Sequence, residues 1–167
     1  NAINNEMLGD LFETFTEVKE NPDIWVAVLT GAGRAFCTGH DLVMGRNEPR
    51  GDTDDFYTFF SKVWKPVIAA VNGYCLAQGG GLARLSDIRI ASEDAQFGWP
   101  QVKRGIASIS GPTILSHYIP LGAALQVLFT GEFIDAQEAY RLGMLQEVVP
   151  QDKVLERADE LARMIVE

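Results

Sequence analysis

Few side chains in this sequence are of types that do chemistry, and their surroundings sort them. Histidine is the residue type whose imidazole can take and give a proton near neutral pH, and the chain has two, His40 and His117. His40 follows a short apolar stretch and precedes Asp41, whereas His117 stands beside Tyr118 in a segment that reads as packing or surface. Cys37 and Cys75 lie inside apolar stretches, with no CxxC pair and no Cys/His metal spacing. They read as small buried hydrophobes rather than nucleophiles or ligands. Gly79, Gly80 and Gly81 open a helical pattern. Such a run is either a flexible turn or a loop that offers backbone N–H groups to a negative charge at a helix N-terminus. No GxGxxG or Walker pattern accompanies it, which argues against a nucleotide-binding α/β domain of those types.

Any chemistry by these groups depends on elements that bring them together. Met7, Leu8, Leu11, Phe12, Phe15 and Val18 recur at helical spacing, with Asn4 or Asn5 as cap and Asn21-Pro22 as stop. Residues 25–30 (WVAVLT) form a nearly continuous apolar run that suits a strand buried on both faces. Residues 56–64 look helical, 67–71 repeat the buried-strand signature, and 88–91 do so again after the glycines. Beyond Pro100 the pattern turns to helices at 112–118, 122–129 and 135–142, a short strand at 145–149 and a last helix from Gln151 onward. Strands interleaved with helices predict an α/β domain with a largely parallel sheet. Residues 44–55 are polar and unpatterned, hence a surface loop.

Composition narrows the partners. The 167 residues are 47% hydrophobic and 22% charged, enough for one globular domain with its own core. The 14 Lys and Arg against 23 Asp and Glu give a net charge of −9, which repels a nucleic-acid backbone or an anionic membrane surface. No apolar run reaches the roughly 18 residues of a membrane span, and the two buried-type cysteines fit a reducing compartment, so a cytoplasmic protein is expected. The sequence starts at Asn1 directly in a helical pattern and ends in a helix with no C-cap signal, and both ends are expected to be truncated.

Four segments occur in order and in register: AFCTGHDL (35–42), KPVIAAVNGYCLAQGGGL (65–82), DIRIASEDAQFGWPQVKRGI (87–106) and LFTGEFIDAQEAYRLGMLQEVVP (128–150). Together they closely resemble the enoyl-CoA hydratase/isomerase family, the crotonases. The resemblance covers essentially the whole chain and implies a crotonase-like spiral of strand-strand-helix units followed by helices. Residues 1–167 would be one core domain, incomplete at both ends. It implies an acyl-CoA substrate with coenzyme A as part of that substrate, no separate cofactor, and assembly into homotrimers or hexamers. It also implies a site in which two backbone N–H groups bind the thioester carbonyl oxygen. Charge builds on that oxygen when an enolate forms, and each fixed donor of such a hole is worth on the order of 3 kcal/mol. Matched position by position, the donors are the N–H groups of His40 and Gln78. Ala2, Thr38, Asp41 and Leu42 fall in the matched substrate-contact region, as do Gly79, Gly81, Pro100 and Ile109, and Arg34 falls where relatives carry a basic residue near the coenzyme's adenosine and phosphates. Val43 replaces a lysine found in some relatives.

The pattern breaks at the acid/base positions. The family's hydratases carry one glutamate three positions beyond the second donor and another after the proline of the FG strand. The matching residues here are Gly81 and Gln101. Each general acid/base role is worth roughly 10²- to 10⁴-fold in rate, so hydration by two glutamates is expected to be severely impaired. Gln101 can orient water or substrate but does not cycle a proton. His40 and the loop residue Glu48 are candidate replacements, although His40 is matched by its backbone. SISGPT (108–113) stands where many members have a glycine-rich turn and offers no carboxylate. Arg84 is unusual where the family is mostly apolar, and a pairing with a nearby carboxylate is the plain explanation. Two readings follow: an acyl-CoA enzyme with different or fewer proton carriers, or a catalytically silent acyl-CoA-binding or regulatory member.

Overall fold

The computed structural model describes residues 1–42, 53–106 and 115–167. The first helix, α1 (Asn5–Glu20), starts where the sequence places it, because the Asn4 side chain accepts a hydrogen bond from the Met7 N–H at 2.8 Å. That satisfies one of the first-turn donors that no helix can satisfy internally. Leu8, Phe15 and Val18 form its buried face.

The strands alternate between two sheets. β1 (Ala27–Thr30), β3 (Val67–Val71), β5 (Ile88–Ser92) and β8 (Glu147–Val149) line up in the order β1-β3-β5-β8. β2 (Ala35–Cys37), β4 (Tyr74–Leu76), β6 (Gln96–Gly98) and β7 (Ile134–Asp135) line up as β2-β4-β6-β7. All pairings are parallel except β6 with β7. Helix α2 (Thr53–Phe60) follows β2, and α3 (Gln78–Leu85) follows β4. The chain therefore advances in strand-strand-helix turns, each adding one strand to either sheet, which is the expected spiral.

β3 is central and all five of its residues are buried. Ile68 and Ala70 pack with Ile90 against Val154, Ala158 and Ala162 of α6 (Val154–Val166). Val67, Ala69 and Val71 face the larger core that contains α1 and α2. Between those two helices lies an aromatic cluster, with Phe12 and Phe56 edge to face at 5.1 Å and Phe15 and Phe60 at 4.4 Å. Apolar burial on this scale fixes the rotation of α2 about its axis. The helical layer is completed by α4 (Leu121–Thr130) and α5 (Ala136–Arg141). Asp135 caps α5 by accepting from the Glu138 N–H.

Several expectations need correction. β1 is not buried on both faces: the sheet order makes it an edge strand, Val28 is 40% exposed and Trp25 is 66% exposed. The helix expected over 56–64 ends at Phe60, and Trp64 lies beyond it with φ 58° and 91% exposure. The single sheet is two, because the strands of the second sheet are too short for periodicity to reveal. Of the helix expected at 112–118, only a 3-10 turn at Leu115–His117 lies within the described residues.

β8 is tied to α6 by a bidentate ion pair in which Arg157 Nε and Nη2 each donate to Glu147 at 2.7 Å. The Arg157 hydrogen bonds hold the Glu147 carboxyl below its ordinary value. A depressed carboxylate pKa adds stability above the unfolded-state value and loses it as pH falls through the folded-state value. Unfolding free energies of the wild type and Glu147→Gln are therefore expected to differ at neutral pH and to converge on acidification. A constant difference from pH 7 to pH 3 in urea titrations would contradict this.

Candidate active site

The order β2-β4-β6 sets three strands side by side and parallel, so their carboxyl ends open on one edge of the second sheet. Carboxyl ends of parallel strands are the usual place for a site in α/β folds. His40 follows β2, Gln78 follows β4, and Pro100 and Gln101 follow β6. Three motifs far apart in the chain thus converge. A hydrogen bond from the Ala77 N–H to the Gly98 carbonyl, at 2.9 Å, ties the second departure to the third.

The segment after β2 that carries His40, expected as the first donor, is held from outside. Residues 1–3 run beside residues 38–41, with Thr38 N–H donating to Asn1 O (3.0 Å), Ile3 N–H to Gly39 O (2.7 Å) and Asp41 N–H to Ile3 O (2.9 Å). Ile3 and His40 form a parallel bridge. In a parallel ladder the bonds made by residues 39 and 41 bracket residue 40, whose own N–H leaves from the opposite edge. That edge continues the side on which β2 pairs with β4, so the His40 N–H faces the chain leaving β4. Asp41, expected in the substrate-contact region, joins this ladder through its N–H. Ala2 and Thr38 belong to the same ladder.

Gln78, expected as the second donor, is the first residue of α3, and no side chain caps the helix. Its N–H belongs to the four that a helix cannot satisfy, and the partial positive charge of the helix end adds to it. Ala77 has φ 53° and ψ −116°, a conformation rare outside glycine and of the strained kind that concentrates at functional sites. The two segments touch backbone to backbone. A Cβ placed on Gly39 would lie 2.9 Å from Ala77 Cβ and 3.4 Å from Gln78 N, and one on Gly79 would overlap the Cys37 carbonyl, with its carbon at 2.8 Å. Only glycine permits either contact.

No carboxylate grows from the site-facing turn of α3. Gly81 faces α2, where a Cβ would overlap the Tyr57 hydroxyl and lie 2.8 Å from the ring carbon bearing it. Tyr57 was not visible as a site residue in the sequence. The available signal was the single hydroxyl-bearing ring in the apolar helix segment FYTFF. Gln101 is half-buried in the 3-10 turn Pro100–Arg104.

The remaining expected residues scatter. Arg34 is exposed at the start of β2, the end of that strand away from His40, and Leu42 is 56% exposed. Ile109, Val43 and Glu48 lie outside the described residues. His117 is exposed, which fits its surface reading. Cys37 and Cys75 face each other in register across β2 and β4, and burial pushes both thiols up, Cys75 furthest. Their packing role stands, since the thiolate is the reactive form. Arg84 departs from its expected carboxylate partner: its guanidinium lies 5.8 Å over the Tyr118 ring, and its buried Nε has no hydrogen-bond partner among the described residues.

The fold and this edge define a family. The family model for enoyl-CoA hydratase/isomerase matches residues 1–167, and the chain belongs to that family. It is 38% identical over 176 residues to (E)-benzylidenesuccinyl-CoA hydratase of Thauera aromatica, covering 99% of this chain and 68% of that protein. It is 34% identical over 175 residues to crotonyl-CoA hydratase of Syntrophomonas wolfei, covering 99% and 67%. Among solved structures, the enoyl-CoA hydratase from Bacillus anthracis superposes with a TM-score of 0.88 at 32% identity, over 99% of this chain and 67% of that one. Carnitinyl-CoA hydratase from Mycobacterium avium gives 0.89 at 36% identity, over 99% and 66%. The chain thus spans about two thirds of the length of these relatives.

The backbone contact at Gly79 makes a direct prediction. Gly79→Ala forces the α3 turn away from β2 and is expected to destabilise the fold by about 3 kcal/mol, read as a lower urea midpoint at unchanged slope. A wild-type midpoint would mean that the two segments are not in contact.

Proposed function

We propose that this chain is the acyl-thioester-binding core of a coenzyme A enzyme, in which the His40 and Gln78 N–H groups stabilise the enolate oxygen of the substrate. The observation that carries this is the convergence of the two donor segments at the carboxyl ends of β2 and β4, locked by contacts that only glycine allows. Printed names of the relatives support a thioester substrate, since benzylidenesuccinyl-CoA, crotonyl-CoA and carnitinyl-CoA are all acyl-CoA compounds. Two aligned donors act on the developing charge rather than on the ground-state carbonyl.

On the same reading, Gly81 and Gln101 stand where the family's hydratases carry glutamates, so the reaction is one that asks less of side-chain proton carriers than two-glutamate hydration. Decarboxylation asks least, because loss of carbon dioxide delivers the enolate directly. Isomerisation and thioester hydrolysis are the other members of the set. The second reading, an acyl-CoA-binding protein without turnover, is favoured by the same glycine at position 81. Assembly into trimers or hexamers belongs to this proposal, supported by exposed Leu121 and Phe129 on α4, at 61% and 72%.

The test is a thermal-shift titration of the full-length protein with crotonyl-CoA, acetyl-CoA and free CoA, with mass spectrometry of each mixture. The thioesters are expected to raise Tm above the value with free CoA, and the mass spectra to show conversion of at least one. Stabilisation without conversion moves the assignment to the binding protein. No stabilisation by any thioester contradicts both readings.

A further inference from the structure

Gly81 and Gln78 share a neighbour that comes from another part of the chain. The Tyr57 hydroxyl donates to the Gln78 side-chain oxygen, and the Gln78 carbonyl oxygen lies 3.2 Å from it. The same hydroxyl occupies the space that a side chain at position 81 would enter. Its position is fixed by the core: the flanking Phe56 and Phe60 are 1% and 4% exposed and pack on Phe12 and Phe15 of α1. A half-buried phenol is therefore delivered by a rigid helix to the first turn of α3, at the residue whose N–H is the second donor.

We propose that Tyr57 is the positioning residue of this site. It ties Gln78 to α2, orients the first turn of α3, and fills the notch above Gly81. The inference rests on the reading that Gln78 N–H binds a thioester oxygen, and it deepens that reading. A donor hole works by holding its dipoles in place before charge appears, and such groups need supporting contacts to stay within a fraction of an ångström of the working geometry. Gln78 needs support, because it is the first residue of an uncapped helix that follows the strained Ala77. Glycine at 81 is then a requirement of Tyr57, since any larger side chain there displaces the phenol.

Two measurements on the full-length protein test this. In infrared difference spectra of crotonyl-CoA labelled with ¹³C at the carbonyl, binding to the wild type is expected to lower the carbonyl frequency. In Tyr57→Phe the displacement is expected to fall to about half, and the preference for thioester over free CoA to fall roughly 10-fold, the size of one misplaced hydrogen bond. Gln78→Met, which keeps the N–H and the 3.2 Å backbone contact but removes the side-chain acceptor, should give most of the same loss, and the double variant no more than Tyr57→Phe alone. An unchanged band and preference in Tyr57→Phe, with the wild type displaced, overturns the proposal and leaves the donor hole standing. Absence of a displacement in the wild type overturns the hole and the positioning role with it. The second measurement needs no ligand: Gly81→Ala should lower the urea midpoint in the wild-type background and cost less when Tyr57 is replaced by Leu. Equal costs in the two backgrounds remove the shared space on which the proposal stands.

Discussion

The close approach of α3's first turn to the end of β2 is the constraint on which the rest depends. At Gly79 the backbone of one segment lies against the Cys37 carbonyl, and at Gly39 the other meets Ala77 and the Gln78 nitrogen. A side chain at either position would push the two segments apart by about the width of a methyl group. The strained Ala77 and the parallel ladder of residues 1–3 with 38–41 belong to the same device, one bending the chain into α3 and the other pinning the loop after β2. Donors supplied by the backbone survive changes of side chain, so the proposed roles of His40 and Gln78 rest on their amides and not on their side chains.

Much of this was legible in the sequence. The cap expected at Asn4 or Asn5, which the structure places at Asn4, and the buried VIAAV strand are local signals of residue type and spacing, and both appear. The WVAVLT run was misjudged, because an apolar composition states how much surface a strand hides and not which neighbours hide it; as an edge strand, β1 has only one. The second sheet left no periodic trace in strands of two or three residues. The segments around His40 and Gln78 were singled out through the order of motifs, whereas their convergence comes from the pairing of β2, β4 and β6. Tyr57 was out of reach, since its place follows from how α2 rolls on the phenylalanines of α1.

The charge of the chain bears on how a coenzyme would be held. A net charge of −9 opposes a ligand carrying several phosphates, and Arg34, the basic residue matched to that role, is exposed at the far end of β2. On the proposed function, affinity is therefore expected to come from the thioester end, where the two backbone dipoles would act on the carbonyl oxygen. On that reading the side chains around the two amides matter more than those at the surface. Position 81 is a glycine and position 101 a glutamine, and the phenol of Tyr57 stands in the space that a side chain at 81 would enter.

The most direct measurement of the central claim is a crystal structure of the full-length protein with a slowly reacting acyl-CoA analogue bound. The account predicts the thioester oxygen about 2.7–3.1 Å from both the His40 and the Gln78 nitrogen, in line with the axis of α3. A thioester oxygen bound by side chains elsewhere, or by neither amide, would contradict it.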